Sequence, residues 1–288
     1  MSDQHDSPTT SPTSDVLASK IDPNQRMRVC VVTGASSGIG RATAIKLAER
    51  GDHVVLVARR ADELERTREL CAGHGRVMVC DVSRPADIRA LAASIAAVEG
   101  RCDVLVANAG VGSRAAFDGP SALADLDRII DCNLRGVAGC IAELMPLLSK
   151  SSRASIVTVS SVAGILGTPY APAYSASKFA VTGLSESLAP TLAERGIVLS
   201  CVQPGPVKTE GWPHENLLAS RFGRLLAADV DDVAQLIVRC TLRSKPSFPV
   251  IPRLYHVAHL VKVLCPPLWR AGQRKVGRKA AESAKVNA

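Results

Sequence analysis

Residues 29–58 read VCVVTGASSGIGRATAIKLAERGDHVVLVA, and this stretch decides the fold. Val29–Thr33 is a short apolar run rich in β-branched residues and closed by a glycine, which predicts a strand. Ile39–Arg50 carries Ile39, Ala42, Ala44, Ile45 and Leu47 as a stripe at helical spacing, and Gly51 follows as a stop signal. His53–Ala58 is a second strand, with Val54-Val55-Leu56-Val57 apolar at every position. A strand that is apolar on both faces belongs in a parallel sheet covered by helices on both sides.

The alternation continues down the chain. Helical patterns over Asp62–Cys71, Pro85–Val98, Ser121–Leu148, Ala173–Arg195 and Val230–Arg239 are interleaved with strand-like runs. Those runs are Arg76–Cys80, Asp103–Ala107, Ser155–Ser160, Ile197–Gln203 and Phe248–Ile251. Repeated strand–helix units force parallel pairing through right-handed crossovers. The fold class is α/β: a single-domain Rossmann fold with a doubly wound parallel sheet of about seven strands. Residues 1–26, rich in Ser, Thr, Pro and Asp, read as a disordered leader. Residues 27–252 form the folded domain, and 253–288 a C-terminal extension with an apolar segment and then a basic tail.

Composition narrows the classes. Of 288 residues, 47% are apolar and 22% charged, which is globular and excludes collagen-like or wholly disordered chains. Aromatics at 3% argue against RNA modules that stack bases on rings. The net charge is +8, but the six Lys or Arg and one Glu of Arg270–Ala288 hold five of it. The nearly neutral body lacks the basic face of a nucleic-acid binder. Nine cysteines with no CxxC, behind a polar N-terminus, read as reduced thiols of a cytoplasmic protein, with Cys80 and Cys201 in the core. The spacing of Cys71, His74 and Cys80 fits no common zinc pattern, so no metal site is expected.

The turn Thr33-Gly34-Ala35-Ser36-Ser37-Gly38-Ile39-Gly40 joins the first strand to the first helix. Glycines there let backbone N–H groups and the helix N-terminus approach a pyrophosphate. At the end of the second strand, an acid that would hold the adenosine ribose hydroxyls is replaced by Ala58, with Arg59 and Arg60 next. An arginine fork suits a 2′-phosphate, which points to NADP(H) over NAD(H). Asp81 is placed either to accept from an adenine amino group or to cap the helix that follows.

Tyr174-Ser175-Ala176-Ser177-Lys178 opens a helix, and a spacing of four puts Tyr174 and Lys178 on one face. An ammonium beside a phenol favours the phenolate, so Tyr174 is expected to titrate nearer neutrality and to serve as a general acid or base. Ser161, at the end of a strand, offers a hydroxyl to a carbonyl or alcohol oxygen. Asn133 is a buried-looking amide in the long apolar helix.

Together these residues resemble a classical short-chain dehydrogenase/reductase over residues 28–252. The likeness rests on Thr33–Gly40, Asp81-Val82, Asn108-Ala109-Gly110, Asn133, Ser160-Ser161, Tyr174–Lys178 and Pro204-Gly205, in family order and spacing. The resemblance implies carbonyl–alcohol interconversion by hydride transfer, with Asn133, Ser161, Tyr174 and Lys178 catalytic. Tyr174 would move the proton, Lys178 would lower its pKa and hold the nicotinamide ribose, Ser161 would orient the substrate oxygen, and Asn133 would fix a proton-relaying water. Ser161 rather than Ser160 has the family distance to the tyrosine. Gly34, Ser36, Ser37, Gly38, Ile39 and Gly40 would line the pyrophosphate. Arg59, Asp81, Val82, Asn108, Ala109 and Gly110 would complete the adenosine side with Asn108 bracing the sheet, and Pro204, Gly205, Val207 and Thr209 would meet the nicotinamide. Two positions depart from the pattern: Ala107 replaces the first Asn of the strand-four motif, and Ser37 stands where many NADP-dependent members carry a basic residue. A homodimer or homotetramer through Ser121–Leu148 and Ala173–Arg195 is the family habit. A non-catalytic dinucleotide-binding regulator is the alternative.

The resemblance makes Gly211–Leu226 the substrate lid; its Trp212, Leu217, Leu218, Phe222 and Leu225 either line an apolar pocket for a hydrophobic, lipid- or steroid-like carbonyl or alcohol substrate, or pack on the body or a neighbouring subunit. Leu254–Trp269 is too short to span a bilayer. It is open to three readings: it lies in a membrane interface with the basic tail, it closes the pocket, or it joins a subunit interface. His256 and His259 read as helix-face residues.

Overall fold

The computed structural model describes residues 27–112, 117, 119–169, 171–209 and 221–274. Strands β1 (Val29–Thr33), β2 (His53–Ala58), β3 (Gly75–Val79), β4 (Val104–Ala107), β5 (Ser155–Val159), β6 (Val198–Pro204) and β7 (Val250–Ile251) form one sheet in the order β3-β2-β1-β4-β5-β6-β7. Every pairing is parallel. The helices are α1 (Gly38–Ala48), α2 (Ala61–Leu70), α3 (Pro85–Val98), α4 (Ser121–Ile130), α5 (Gly136–Leu148), α6 (Pro172–Ala193), α7 (Arg221–Leu226), α8 (Val230–Thr241) and α9 (Leu254–Leu264). Residues 266–274 are also helical.

The apolar run of β2 divides between two cores. Val54 and Leu56 join Leu47, Leu64 and Ile237 from α1, α2 and α8. Val55 and Val57 join Ile88, Leu91, Ile141, Leu144 and Leu192 from α3, α5 and α6 on the opposite face. Period-two alternation in a strand with no polar side leaves helices as the only cover for both faces. Each leucine so enclosed contributes roughly 1.5–3 kcal/mol relative to exposure. Cys80 and Cys201 are buried, as read, and all nine cysteines are free thiols.

One predicted element is corrected. Ser121–Leu148 is not a continuous α-helix: Asp131–Arg135 forms a π-turn between α4 and α5, closed by the Gly136 N–H on the Asp131 carbonyl. The extra residue per turn rotates Asn133 into the protein, where it is fully buried. Such single turns are rare and concentrate at functional sites. The leader 1–26, the lid residues 211–220 and the tail 275–288 lie outside the described residues. Of the lid's apolar side chains Leu225 and Leu226 are described, the first exposed and the second half-buried.

Candidate active site

The sheet order reverses between β1 and β4, and at that switch point a cleft of about 900 Å³ opens at the carboxyl ends of the strands. Asn108 joins the two strands there. Its side-chain amide donates to the Thr33 carbonyl (2.9 Å), and its own N–H and that of Ala109 donate to the Thr33 hydroxyl (3.0 Å each).

The glycine turn wraps this joint closely. Gly34 has φ +71°, and a Cβ there would lie 2.7 Å from the Asn108 amide nitrogen. A Cβ at Gly40 would lie 2.2 Å from the Gly34 carbonyl oxygen. Gly40 does not line the cleft, which corrects the expectation that it faces a pyrophosphate: its hydrogen lets α1 close on the turn. Gly34, Ser36, Ser37, Gly38 and Ile39 do line it, as do Arg59, Asp81, Val82, Asn108, Ala109, Gly110, Pro204, Gly205, Val207 and Thr209. A glycine-lined cradle at a helix N-terminus, facing two arginines, fits a dinucleotide phosphate.

Beyond β2 the two arginines divide. Arg60 reaches back to donate to the Ser36 hydroxyl (3.1 Å) and the Ser37 hydroxyl (2.9 Å). It thus stands over the glycine turn at the position where Ser37 replaces a basic residue. Arg59 lines the cleft towards Asp81. Burial works against ionisation of Asp81, but the hydroxyl and N–H of Ser83, with the Arg59 and Arg84 charges, hold its pKa below the usual range. Its Oδ1 accepts from both Ser83 groups in a local turn, and the helix that follows has Arg84 at its N-cap with no side-chain cap, so Asp81 does not cap it.

The reacting end lies between β5 and α6. Ser161, Tyr174 and Lys178 all line the cleft. The two neighbouring serines part company. Ser160 donates to the Lys178 carbonyl (2.9 Å) and pairs with the Thr182 hydroxyl, holding β5 to α6. Ser161 donates to the Pro204 carbonyl (3.2 Å), accepts from the Ala163 N–H (3.1 Å) and is the hydrogen-bond partner of Tyr174.

Lys178 is buried, and its ammonium donates to the Val159 carbonyl (2.9 Å), 5.7 Å from the centre of the Tyr174 ring. Burial lowers its pKa to about 8, against the weak opposing pull of the Cys201 and Cys132 thiols. The expected lowering of the Tyr174 pKa is not what this geometry gives. Burial dominates and raises the phenol above its ordinary range, with the Ser161 hydrogen bond opposing. The ammonium's first partner is a carbonyl, so the tyrosine is a neutral acid in this state.

Asn133 is brought to the same place but not into the cleft. Its Oδ1 accepts from the Val111 N–H (2.7 Å), and its Nδ2 donates to the Val111 carbonyl (2.9 Å) and the Ser177 hydroxyl (3.0 Å). Both amide protons are committed, which leaves the side chain little capacity for the water expected of it. A Cβ on Gly110 would meet Asn133 Oδ1 at 3.2 Å and Lys178 Nζ at 3.4 Å, so two site side chains converge on that glycine.

Sequence reasoning passed over several residues of the wall, among them Val111, Cys132, Val162, Ala163, Thr168, Pro169 and Ala171. Apart from Cys132, they lie in loops after β4 and β5, where no periodicity marks a residue. The segment after Ser161 carried the one usable signal, an apolar run directly following a polar site residue.

With this geometry stand the likenesses to known proteins. The short chain dehydrogenase family model matches residues 28–217. A 3β-hydroxysteroid dehydrogenase of Mediterraneibacter gnavus is 40% identical over 185 residues, covering 63% of this chain and 67% of the relative. A short chain dehydrogenase/reductase of Burkholderia phymatum, solved in complex with NAD, superposes with a TM-score of 0.73 at 28% identity, covering 84% of this chain and 95% of that one. RhlG of Pseudomonas aeruginosa, solved as an NADP active-site complex, superposes at 0.70 with 25% identity, covering 80% and 96%. The chain belongs to the short-chain dehydrogenase/reductase family, and it is an oxidoreductase acting on CH–OH groups.

Proposed function

We propose that the protein is an NADP(H)-dependent reductase of hydrophobic, lipid- or steroid-like carbonyl compounds, working reversibly on the corresponding alcohols. The observation that carries the reading is the placement of Ser161, Tyr174 and Lys178 together on the cleft wall, with the Lys178 ammonium 5.7 Å from the centre of the Tyr174 ring.

The glycine turn and the arginines beyond β2 would hold a nicotinamide dinucleotide, which would supply a hydride for the carbonyl carbon. Tyr174, held neutral by burial, gives its phenolic proton to the carbonyl oxygen. The Ser161 hydroxyl bonds the same oxygen and stabilises the charge developing there. The Lys178 ammonium offsets the phenolate that the transfer leaves. Asn133 acts as a positioning residue, fixing Val111 after β4 and Ser177 on α6 in one frame.

Ala58, Arg59 and Arg60 support the cofactor preference, since nothing acidic at the end of β2 repels a 2′-phosphate. The apolar wall of Val111, Val162, Ala163, Pro169 and Ala171 supports a hydrophobic substrate, as does the relative whose name is that of a hydroxysteroid dehydrogenase. We carry the dimer or tetramer reading as part of this proposal. The test is kcat/KM for NADPH and NADH against ketones of increasing apolar size. A preference for NADPH that holds across the series, with rates rising with apolar size, supports the reading. Equal use of the two cofactors, or a preference for small polar carbonyls, contradicts it.

A further inference from the structure

Helix α9 is turned inside out. Tyr255, Ala258, His259, Val261 and Lys262 form its half-buried inward side, and of its polar residues only His256 is exposed. Tyr255 donates to the Leu226 carbonyl (3.2 Å) and packs over Gly205, where a Cβ would lie 2.8 Å from its ring. The Lys262 ammonium donates to the Ile165 carbonyl (2.6 Å) and lies 4.7 Å from the centre of the Phe179 ring. The opposite side carries Leu254, Val257, Leu260 and Leu264, at 43, 55, 55 and 77% exposure, and Leu268 continues it at 61% in the following helix. No residue of α9 is buried. A helix that docks its polar residues on its own domain and presents leucines outward lacks its natural cover.

The charge around this stripe selects the cover. From Val233 to Ala281 the sequence has ten Lys or Arg and no Asp or Glu. Arg253, just before α9, and Arg270 and Arg274, in the helix 266–274, are exposed, and Lys275, Arg278 and Lys279 follow in sequence. A second copy docked isologously would bring one basic patch against another, with no acidic residue of this segment to offset it. An anionic bilayer offers apolar depth to the leucines and phosphates to the arginines. We infer that α9 and the helix 266–274 form an interfacial docking surface for anionic lipid membranes, lying in the membrane plane.

The surface adjoins the cleft. Lys262 and, through its side-chain amide, Gln273 hold the Ile165 and Gly167 carbonyls (2.6 and 3.1 Å), and the next residues of that loop, Thr168 and Pro169, line the cleft. Tyr255 packs over Gly205, another lining residue. Docking on this side brings the cleft beside the lipid that would carry an apolar substrate. The binding claim itself does not rest on the catalytic reading.

The full-length protein is mixed with vesicles of phosphatidylcholine alone, or of phosphatidylcholine and phosphatidylglycerol in equal parts, and co-sedimentation is measured at low and high salt. The paired substitution Leu260→Glu with Leu264→Glu touches exposed positions only, and NADPH binding confirms that it folds. The inference predicts partition onto anionic vesicles, weakened by salt, falling roughly fivefold for each of Arg253→Gln, Arg270→Gln and Arg274→Gln, and lost in the leucine pair while NADPH binding is kept. Absence of binding to anionic vesicles at low salt, or equal binding by the leucine pair, overturns it. So does a wild-type oligomer in solution that becomes monomeric in the leucine pair without any vesicle binding, which makes the face a contact between copies. Turnover is not read, so failure here leaves the reductase reading intact.

Discussion

Lys178 and Tyr174 stand one helical turn apart on α6, with the ammonium 5.7 Å from the centre of the phenol ring and hydrogen-bonded to the Val159 carbonyl of β5. Burial sets the acid–base state of both in opposite senses: it lowers the ammonium to about 8 and raises the phenol. The pair is thereby poised with a proton on the tyrosine and a cation beside it.

The lysine leaves a signature in stability. Its pKa falls from the ordinary 10.5 to about 8 on folding, so between those values the unfolded chain binds a proton that the folded one has lost. Unfolding then takes up a proton, and stability rises with pH across that window. Tyr174 titrates in the other sense, so the comparison is with Lys178→Met, which keeps the tyrosine. Urea midpoints should show wild type gaining on the variant from about pH 8 to pH 10.5, with a constant difference below. A difference independent of pH contradicts the lowered pKa.

Asn133 holds Val111 on both sides of its peptide and Ser177 besides. Asn133→Ala should cost about 2 kcal/mol in urea unfolding, because it strips partners from buried or half-buried groups. Asn133→Asp keeps an acceptor for the Val111 N–H but cannot donate to the Val111 carbonyl. It should also lose stability. A variant that loses turnover at full stability would place Asn133 in the proton path instead.

The two arginines are separable. Arg59→Asp should raise the KM for NADPH far more than that for NADH. Arg60→Ala removes a cation and its bonds to Ser36 and Ser37, and should lower kcat/KM for NADPH by about tenfold, the effect of one charged hydrogen bond. Equal effects on the two cofactors would remove these residues from 2′-phosphate recognition.

Gly40→Ala would drive a methyl group to 2.2 Å from the Gly34 carbonyl. The turn or α1 must shift, at a cost of about 2 kcal/mol in unfolding free energy. Dinucleotide affinity should fall with it, measured by fluorescence quenching, although Gly40 itself does not face the cleft.

The sheet was legible because burial on two faces writes itself as unbroken apolar runs, as in Val54–Val57, and helix α3 was read to its termini because Pro85 marks its start. The π-turn at Asp131–Arg135 was not legible: one extra residue in a turn leaves the apolar spacing nearly unchanged, while it moves Asn133 from a helix face into the core. The cofactor residues came from motif and spacing together, but Gly40 shows that a motif marks a position without saying which atom it touches. The direction of the Tyr174 shift depends on burial in the folded chain, which no local pattern records. Arg60 was readable as a cation, but its reach across to Ser36 and Ser37 belongs to the tertiary fold. Leu254–Trp269 was legible as an apolar segment with His256 and His259 on a helix face, yet only the structure shows which of its residues face inward.

Deuterium transfer tests the catalytic claim most directly. The protein is incubated with NADPH deuterated at the transferable position and a mixture of cell lipids and metabolites, with Tyr174→Phe in parallel. Mass spectrometry should find an apolar alcohol that gains deuterium with wild type and is absent with Tyr174→Phe, while both proteins bind NADPH. A labelled product of equal yield in the two would contradict Tyr174 as the proton donor, and with it the account of the site.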